Sequence, residues 1–174
     1  MEEDALLFAE EAHGDQKRKY SGEPYVEHLK RVAATVKTVP HTPEMIAAAL
    51  LHDVVEDTPI ELEEIARKFG GSIAKLVEEL TEEFIKEDYP HLNRKQRKAK
   101  EVARQASMSP DAKTIKLADV IDNTMDIVRN DPGFGRRYVR EMDALVGVLQ
   151  QGDPELFERA RQEIIKGKKI LKMS

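Results

Sequence analysis

The chain has 174 residues, 40% hydrophobic and 35% charged, enough for one domain with a sizeable core and hardly enough for two. Its net charge of −5 gives no overall basic field for nucleic acid or an acidic membrane, so an anionic ligand needs a local basic patch. Cysteine is absent, which excludes disulfides, thiolate zinc sites and cysteine nucleophiles, and the longest apolar run falls far short of the ~20 residues of a membrane span.

In chain order, the signals are helical throughout. The acidic start Met1-Glu2-Glu3-Asp4 lacks the positive charge of a signal peptide, so a cytoplasmic protein is expected. Ala5, Leu6, Phe8, Ala9 and Ala12 form the stripe of a helix from about Glu3 to His13, ending near Gly14. A charged loop, 15–23, contains Lys17-Arg18-Lys19, and Pro24 opens a helix from Tyr25 to about Val39. Pro40 stops it, Thr42 caps the next helix and Pro43 starts it. This third helix runs through Met45–Leu51, seven apolar residues in a row, into His52-Asp53-Val54-Val55-Glu56-Asp57. Thr58-Pro59 breaks it. A short helix from about Glu61 to Phe69 ends at Gly70-Gly71, and Ser72 caps another reaching about Glu83. Residues 86–93 read as a loop, and Asn93 caps a basic helix from Arg94 to about Ala106. Ser109-Pro110 opens a long helix holding Asp119, a turn at Asp131-Pro132-Gly133 leads into a helix to about Gln150, and Asp153-Pro154-Glu155 starts the last one. Nine helices with mostly short connections predict an all-α, compact multi-helix bundle, with residues 1–174 as a single domain.

The third helix carries the chemistry. On a helix, residues four apart share a face, which sets His52 over Glu56 and Asp53 over Asp57. Three carboxylates and an imidazole beside a core repel one another and resist desolvation unless a cation joins them. Imidazole plus carboxylate suits a divalent metal, and a carboxylate left unbound can handle a proton. His52 and Asp53 alone would hold a metal weakly, so further ligands must come from elsewhere. His28 continues a buried stripe with Val32 and Ala33; His41 and His91 fall in loops beside prolines, and His13, closing the first helix, suits a structural role as well as ligation. Asp119 interrupts the apolar helix Thr114–Asn123 and is followed on its own face by Asp122 and Asn123. Arg18 and Lys19 could contact phosphate or lie solvated. No nucleophile elbow surrounds any serine, and no Gly-rich phosphate loop is present.

Four stretches carry a resemblance: Phe8-Ala9 through Ala12-His13 to Gln16 and Arg18-Lys19; Gly22-x-Pro24-Tyr25-x-x-His28-x-x-Arg31-Val32-Ala33; Ala49-Leu50-Leu51-His52-Asp53-Val54-Val55-Glu56-Asp57-Thr58; and Lys116-Leu117-Ala118-Asp119-x-x-x-Asn123. In this order they resemble the HD-domain metal-dependent phosphohydrolases, and more narrowly the hydrolase domain of Rel/SpoT-type proteins and the small alarmone hydrolases. The resemblance spans about Ala5 to Asn123. It implies one metal ion per chain, usually manganese, held by His28, His52, Asp53 and Asp119. It implies that Glu56 and Asp57 position and activate the attacking water, that Arg18 and Lys19 meet the substrate's phosphates, and that Asn123 lies near the ribose or the reacting phosphate. The reaction implied is removal of the 3′-pyrophosphate from (p)ppGpp-type nucleotides, a step of the stringent response, with a small nucleotide as partner and neither nucleic acid nor membrane. Three positions depart from the pattern: Leu29 replaces a common proline, Val120 replaces a cation expected to face phosphate, and Met142 stands where the small hydrolases carry tyrosine. The second and third point to an alternative substrate, another phosphorylated nucleotide. A non-catalytic nucleotide-binding regulatory domain is the other alternative, one that the intact ligand set and Glu56-Asp57 disfavour.

Overall fold

The computed structural model describes residues 1–174 and is all-helical: α1 (Glu2–His13), α2 (Tyr25–Val36), α3 (Pro43–Leu51), α4 (Val54–Asp57), α5 (Leu62–Phe69), α6 (Gly71–Leu80), α7 (Arg94–Gln105), α8 (Pro110–Asn130), α9 (Pro132–Val146) and α10 (Pro154–Ile170). The nine expected helices are all present. The third is divided, with one turn of helix, α4, set off from α3. The division falls at His52-Asp53, where the His52 Nδ1 meets the Ala49 carbonyl at 2.6 Å and Asp53 adopts φ −102°, ψ 0°. Other ends shift by a turn or less: α2 stops at Val36 rather than Val39, and α6 at Leu80 rather than Glu83.

Local chemistry sets the helix starts. Thr42 accepts from the Met45 N–H, Ser109 from Ala112, Asp131 from Phe134, and Asp153 from both Glu155 and Leu156. Asn93 and Gln96 form a reciprocal capping box. A lone antiparallel bridge, Lys17 with Pro24, closes the first loop into a tight hairpin that turns at Gly22 (φ 75°).

Packing follows from two helices with little exposed surface. All seven residues Met45–Leu51 of α3 are buried, which explains the unbroken apolar run. The 21-residue α8 buries twelve of its residues and lies against α2, α3, α6, α9 and α10. Leu51, Ile115, Leu117, Leu149, Leu156 and Ile164 are among its largest fully buried neighbours and members. A β-carbon added at Gly152 would sit 2.8 Å from Leu117 Cδ1 and 3.1 Å from the Lys113 backbone, so glycine alone lets the turn before α10 press against α8. The helix α7 is different in kind. Only Glu101 and Gln105 are buried in it, and polar contacts attach it to its neighbours. No helix is long and apolar enough to cross a membrane.

Candidate metal centre and active-site cleft

His28 from α2, His52 and Asp53 from the break after α3, and Asp119 from α8 converge, each offering one ligand atom within 4.8 Å of the others. His28 Nε2 lies 3.6 Å from Asp53 Oδ2 and 3.1 Å from Asp119 Oδ1; His52 Nε2 lies 3.1 Å and 3.3 Å from the same carboxylates. Ligands bound at ~2.0–2.2 Å from one ion stand about 3–4.4 Å apart, so the spacing fits a single divalent metal. Both histidines turn Nδ1 away from the cluster, His28 to Asp122 Oδ2 (2.6 Å) and His52 to the Ala49 carbonyl (2.6 Å). That leaves Nε2 of each for the site, and the wholly buried His28 Nε2 has no hydrogen-bond partner.

The electrostatics agree. Burial opposes charge on His28, but Asp119, Asp122 and Asp53 outweigh it and raise its pKa to about 9. His52 is likewise held well above its ordinary value against burial, by Asp53 and Asp119. Burial also works against ionised Asp53 and Asp119. His52 and His28 hold Asp53 well below the carboxylate range, and Lys116 with the two histidines does so for Asp119. Protons on two imidazoles thus offset two carboxylates, the place a bound cation takes.

Glu56 and Asp57 are outside this group. The chain bends at Asp53, so His52 and Asp53 turn inward while Glu56 and Asp57 stand at the rim, rather than pairing in one stack as a straight helix would have them. The Glu56 residue reaches solvent, yet its carboxyl is crowded by protein: burial and the Asp53 charge push it up to about 7. Its Oε1 accepts from the Glu82 N–H in the segment after α6. Burial and Asp53 also raise Asp57, whose Oδ2 accepts from Gln16. His13 bonds Gln16 (2.8 Å) and stacks on Tyr25, so its role is structural.

A cavity of about 150 Å³ opens beside the cluster, lined by Asp53, Glu56, Lys98, Lys116, Asp119, Asn123, Tyr138 and Met142 among others. Asn123 donates to Asp119 Oδ1 (2.9 Å) and accepts from Arg18 Nη2 (2.9 Å). Arg18 is 8% exposed and also bound to Asp126, so it is fastened to α8, whereas the neighbouring Lys19 is exposed and makes no ion pair. One expectation falls here. Val120 is 1% exposed within the core and does not line the cleft, so this position does not face phosphate. Met142 does line the cleft, and Tyr138, one turn earlier in α9, lines it too. Lys116 and Tyr25, motif positions with no role expected of them, also reach the cluster. Lys116 Nζ donates to Asp119 Oδ2 (2.8 Å) and the Tyr25 hydroxyl to Asp53 Oδ2 (2.6 Å). The i−3 spacing of Lys116 from Asp119, and of Tyr25 from His28, was a usable signal; the bond from Tyr25 to Asp53, across 28 residues, was not foreshadowed.

A family model described as HD domain matches residues 5–145. The guanosine-3′,5′-bis(diphosphate) 3′-pyrophosphohydrolase MESH1 of Mus musculus is 36% identical over 91% of this chain and 90% of its own. Its counterpart in Drosophila melanogaster is 37% identical over 74% of this chain and 70% of its own. A solved structure of a metazoan ortholog of SpoT that hydrolyses ppGpp superposes with a TM-score of 0.83 at 29% identity, covering 95% of this chain and 94% of that one.

Proposed function

This chain belongs to the HD domain family, and we propose that it is a manganese-dependent hydrolase that removes the 3′-pyrophosphate from (p)ppGpp-type nucleotides. The observation that carries the reading is the placement of a proton-handling carboxyl, Glu56, beside a two-histidine, two-aspartate cluster in a chain so similar to MESH1. His28, His52, Asp53 and Asp119 would hold one ion. Bound there, a divalent metal polarises a phosphoryl oxygen and acidifies water.

The remaining work falls to the chain's own groups. Glu56, its carboxyl pKa raised by burial, is suited to take the proton of the attacking water, and Asp57 beside it orients that water. Lys19 is an exposed, unpaired cation of the first loop and meets phosphate. Arg18 acts from behind, holding Asn123 at the cleft wall towards the ribose or the reacting phosphate. Lys98 and Lys116 add positive charge to the same wall. Val120, buried in the core, no longer argues for looser specificity, while Met142 lines the cleft together with Tyr138.

The test is a manganese-supplemented assay of the full chain on ppGpp, pppGpp, pppApp, NADPH and simple nucleotides, with pyrophosphate and phosphate separated. Pyrophosphate release from ppGpp is expected, reduced ~10²–10⁴-fold in a Glu56→Gln, Asp57→Asn double variant that still binds manganese. Absence of that release, together with manganese-dependent phosphate release from another nucleotide, would refute the alarmone assignment.

A further inference from the structure

Resting on the metal-binding reading above, we infer that Asp122 is a positioning residue for the metal, its carboxylate fixing the His28 imidazole with Nε2 turned into the ligand cluster. A ligating imidazole binds through one nitrogen, and the partner of the other decides the tautomer, the ring's orientation and its strength as a donor. His28 is fully buried, so its Nδ1–H must find an acceptor inside the protein. Asp122 Oδ2 supplies it at 2.6 Å.

That carboxylate is itself held. Arg31 Nε donates to Asp122 Oδ1 (2.7 Å) and Nη2 to Oδ2 (3.2 Å), while the far edge of the same guanidinium grips both oxygens of Glu23. A continuous series Glu23–Arg31–Asp122–His28 therefore runs from the partly exposed surface to the ligand cluster. Arg18 Nη2 lies 3.7 Å from Asp122 on another side, so two guanidinium groups flank the carboxylate and restrict its rotation. The second histidine has no such support: His52 Nδ1 meets a neutral carbonyl, that of Ala49. An anionic acceptor strengthens a ligating imidazole more than a neutral one, so His28 is the ligand whose grip depends on its neighbour.

A strap that merely joined α2 to α8 would contribute to stability and leave metal affinity alone, which gives the test its discriminating readout. Mn²⁺ affinity of the full chain is measured by competition with a chelating dye for wild type, Asp122→Asn and Asp122→Ala. Thermal midpoints without metal are recorded in parallel, and Ile164→Val in α10 serves as a fold-weakening control. Both Asp122 variants are expected to bind Mn²⁺ about 10–100-fold more weakly, while Ile164→Val lowers the midpoint without moving the affinity. Asp122→Asn, nearly the same shape as wild type, decides the matter if the alanine variant does not fold. Wild-type affinity in either folded variant overturns the inference and leaves the metal reading standing. A wild-type chain that binds no Mn²⁺ overturns both.

Discussion

Glu101→Gln offers a sharp test of how the cleft is held. The Glu101 side chain is almost fully buried and accepts five hydrogen bonds: Oε1 from the Glu83 and Phe84 N–H groups (2.7 and 2.8 Å), Oε2 from Arg104 Nε and Nη2 (3.1 and 3.0 Å) and from Gln105 (3.2 Å). A glutamine has one acceptor end. If its oxygen faces the two backbone donors, its NH₂ confronts Arg104 and Gln105; reversed, it confronts two backbone N–H groups. At least two charge-assisted bonds vanish either way, each worth ~1.5–3 kcal/mol net, and partial rehydration of Arg104 brings the expected loss to about 2–4 kcal/mol. The pH dependence has a definite sign. Burial alone would raise Glu101, but the Phe84 N–H and Arg104 outweigh it and hold the carboxyl below its ordinary 4.5. A carboxyl lowered in the folded state contributes its stability above 4.5 and loses it as pH falls through the folded value. Urea melts of both proteins between pH 7 and pH 4 should therefore show a gap that is full at neutrality and narrows at the acidic end. The segment freed by the change carries the Glu82 N–H that meets Glu56, so kcat should fall with it. A gap under about 0.5 kcal/mol at pH 7, or one that widens as pH falls, would refute this account.

Metal analysis of the loaded chain is expected to give about one equivalent, lost in Asp53→Ala and in Asp119→Ala; two tightly held equivalents would contradict a single four-ligand site. Val120→Lys, attractive if that position faced phosphate, should instead place an ammonium in the core and lower stability by several kcal/mol with no gain in substrate affinity, as denaturant melts and KM can show. Gly152→Ala drives a β-carbon onto Leu117 and the Lys113 backbone, and a loss of about 1–3 kcal/mol in urea melts is expected; a neutral result would mean that the turn can move aside.

What the sequence disclosed, and what it hid, divides by range. Caps at Thr42, Asn93, Ser109 and Asp153 were readable because each is a bargain between a side chain and a backbone N–H two or three residues on. The burial of Met45–Leu51 was readable because no amphipathic helix tolerates seven apolar residues in a row. The bend after Leu51 was not, since it arises where His52 and Asp53 turn towards residues from α2 and α8. Fold class and the convergence of His28, His52, Asp53 and Asp119 agree with expectation. Val120 departs from expectation because a motif position says nothing of helical phase: it lies about 100° round α8 from Asp119, enough to turn a side chain from cleft to core. The Arg31–Asp122 contact spans 91 positions and had no local trace.

One consequence of α8 concerns how this protein can vary. Its 21 residues supply Asp119, Asp122 and Asn123 on one side and Leu117, Val120 and Ile121 on the other, so the core and the ligand cluster draw on the same helix. Random substitutions at its buried positions have few neutral outcomes. The outward positions of α7 and α10 have no such double duty, so a mutant library selected for activity should collect its survivors' changes in those two helices and leave α8 nearly blank. New specificity would then enter through the α7 wall of the cleft, at Lys98 or Val102, while the helix that carries Asp119 keeps its sequence.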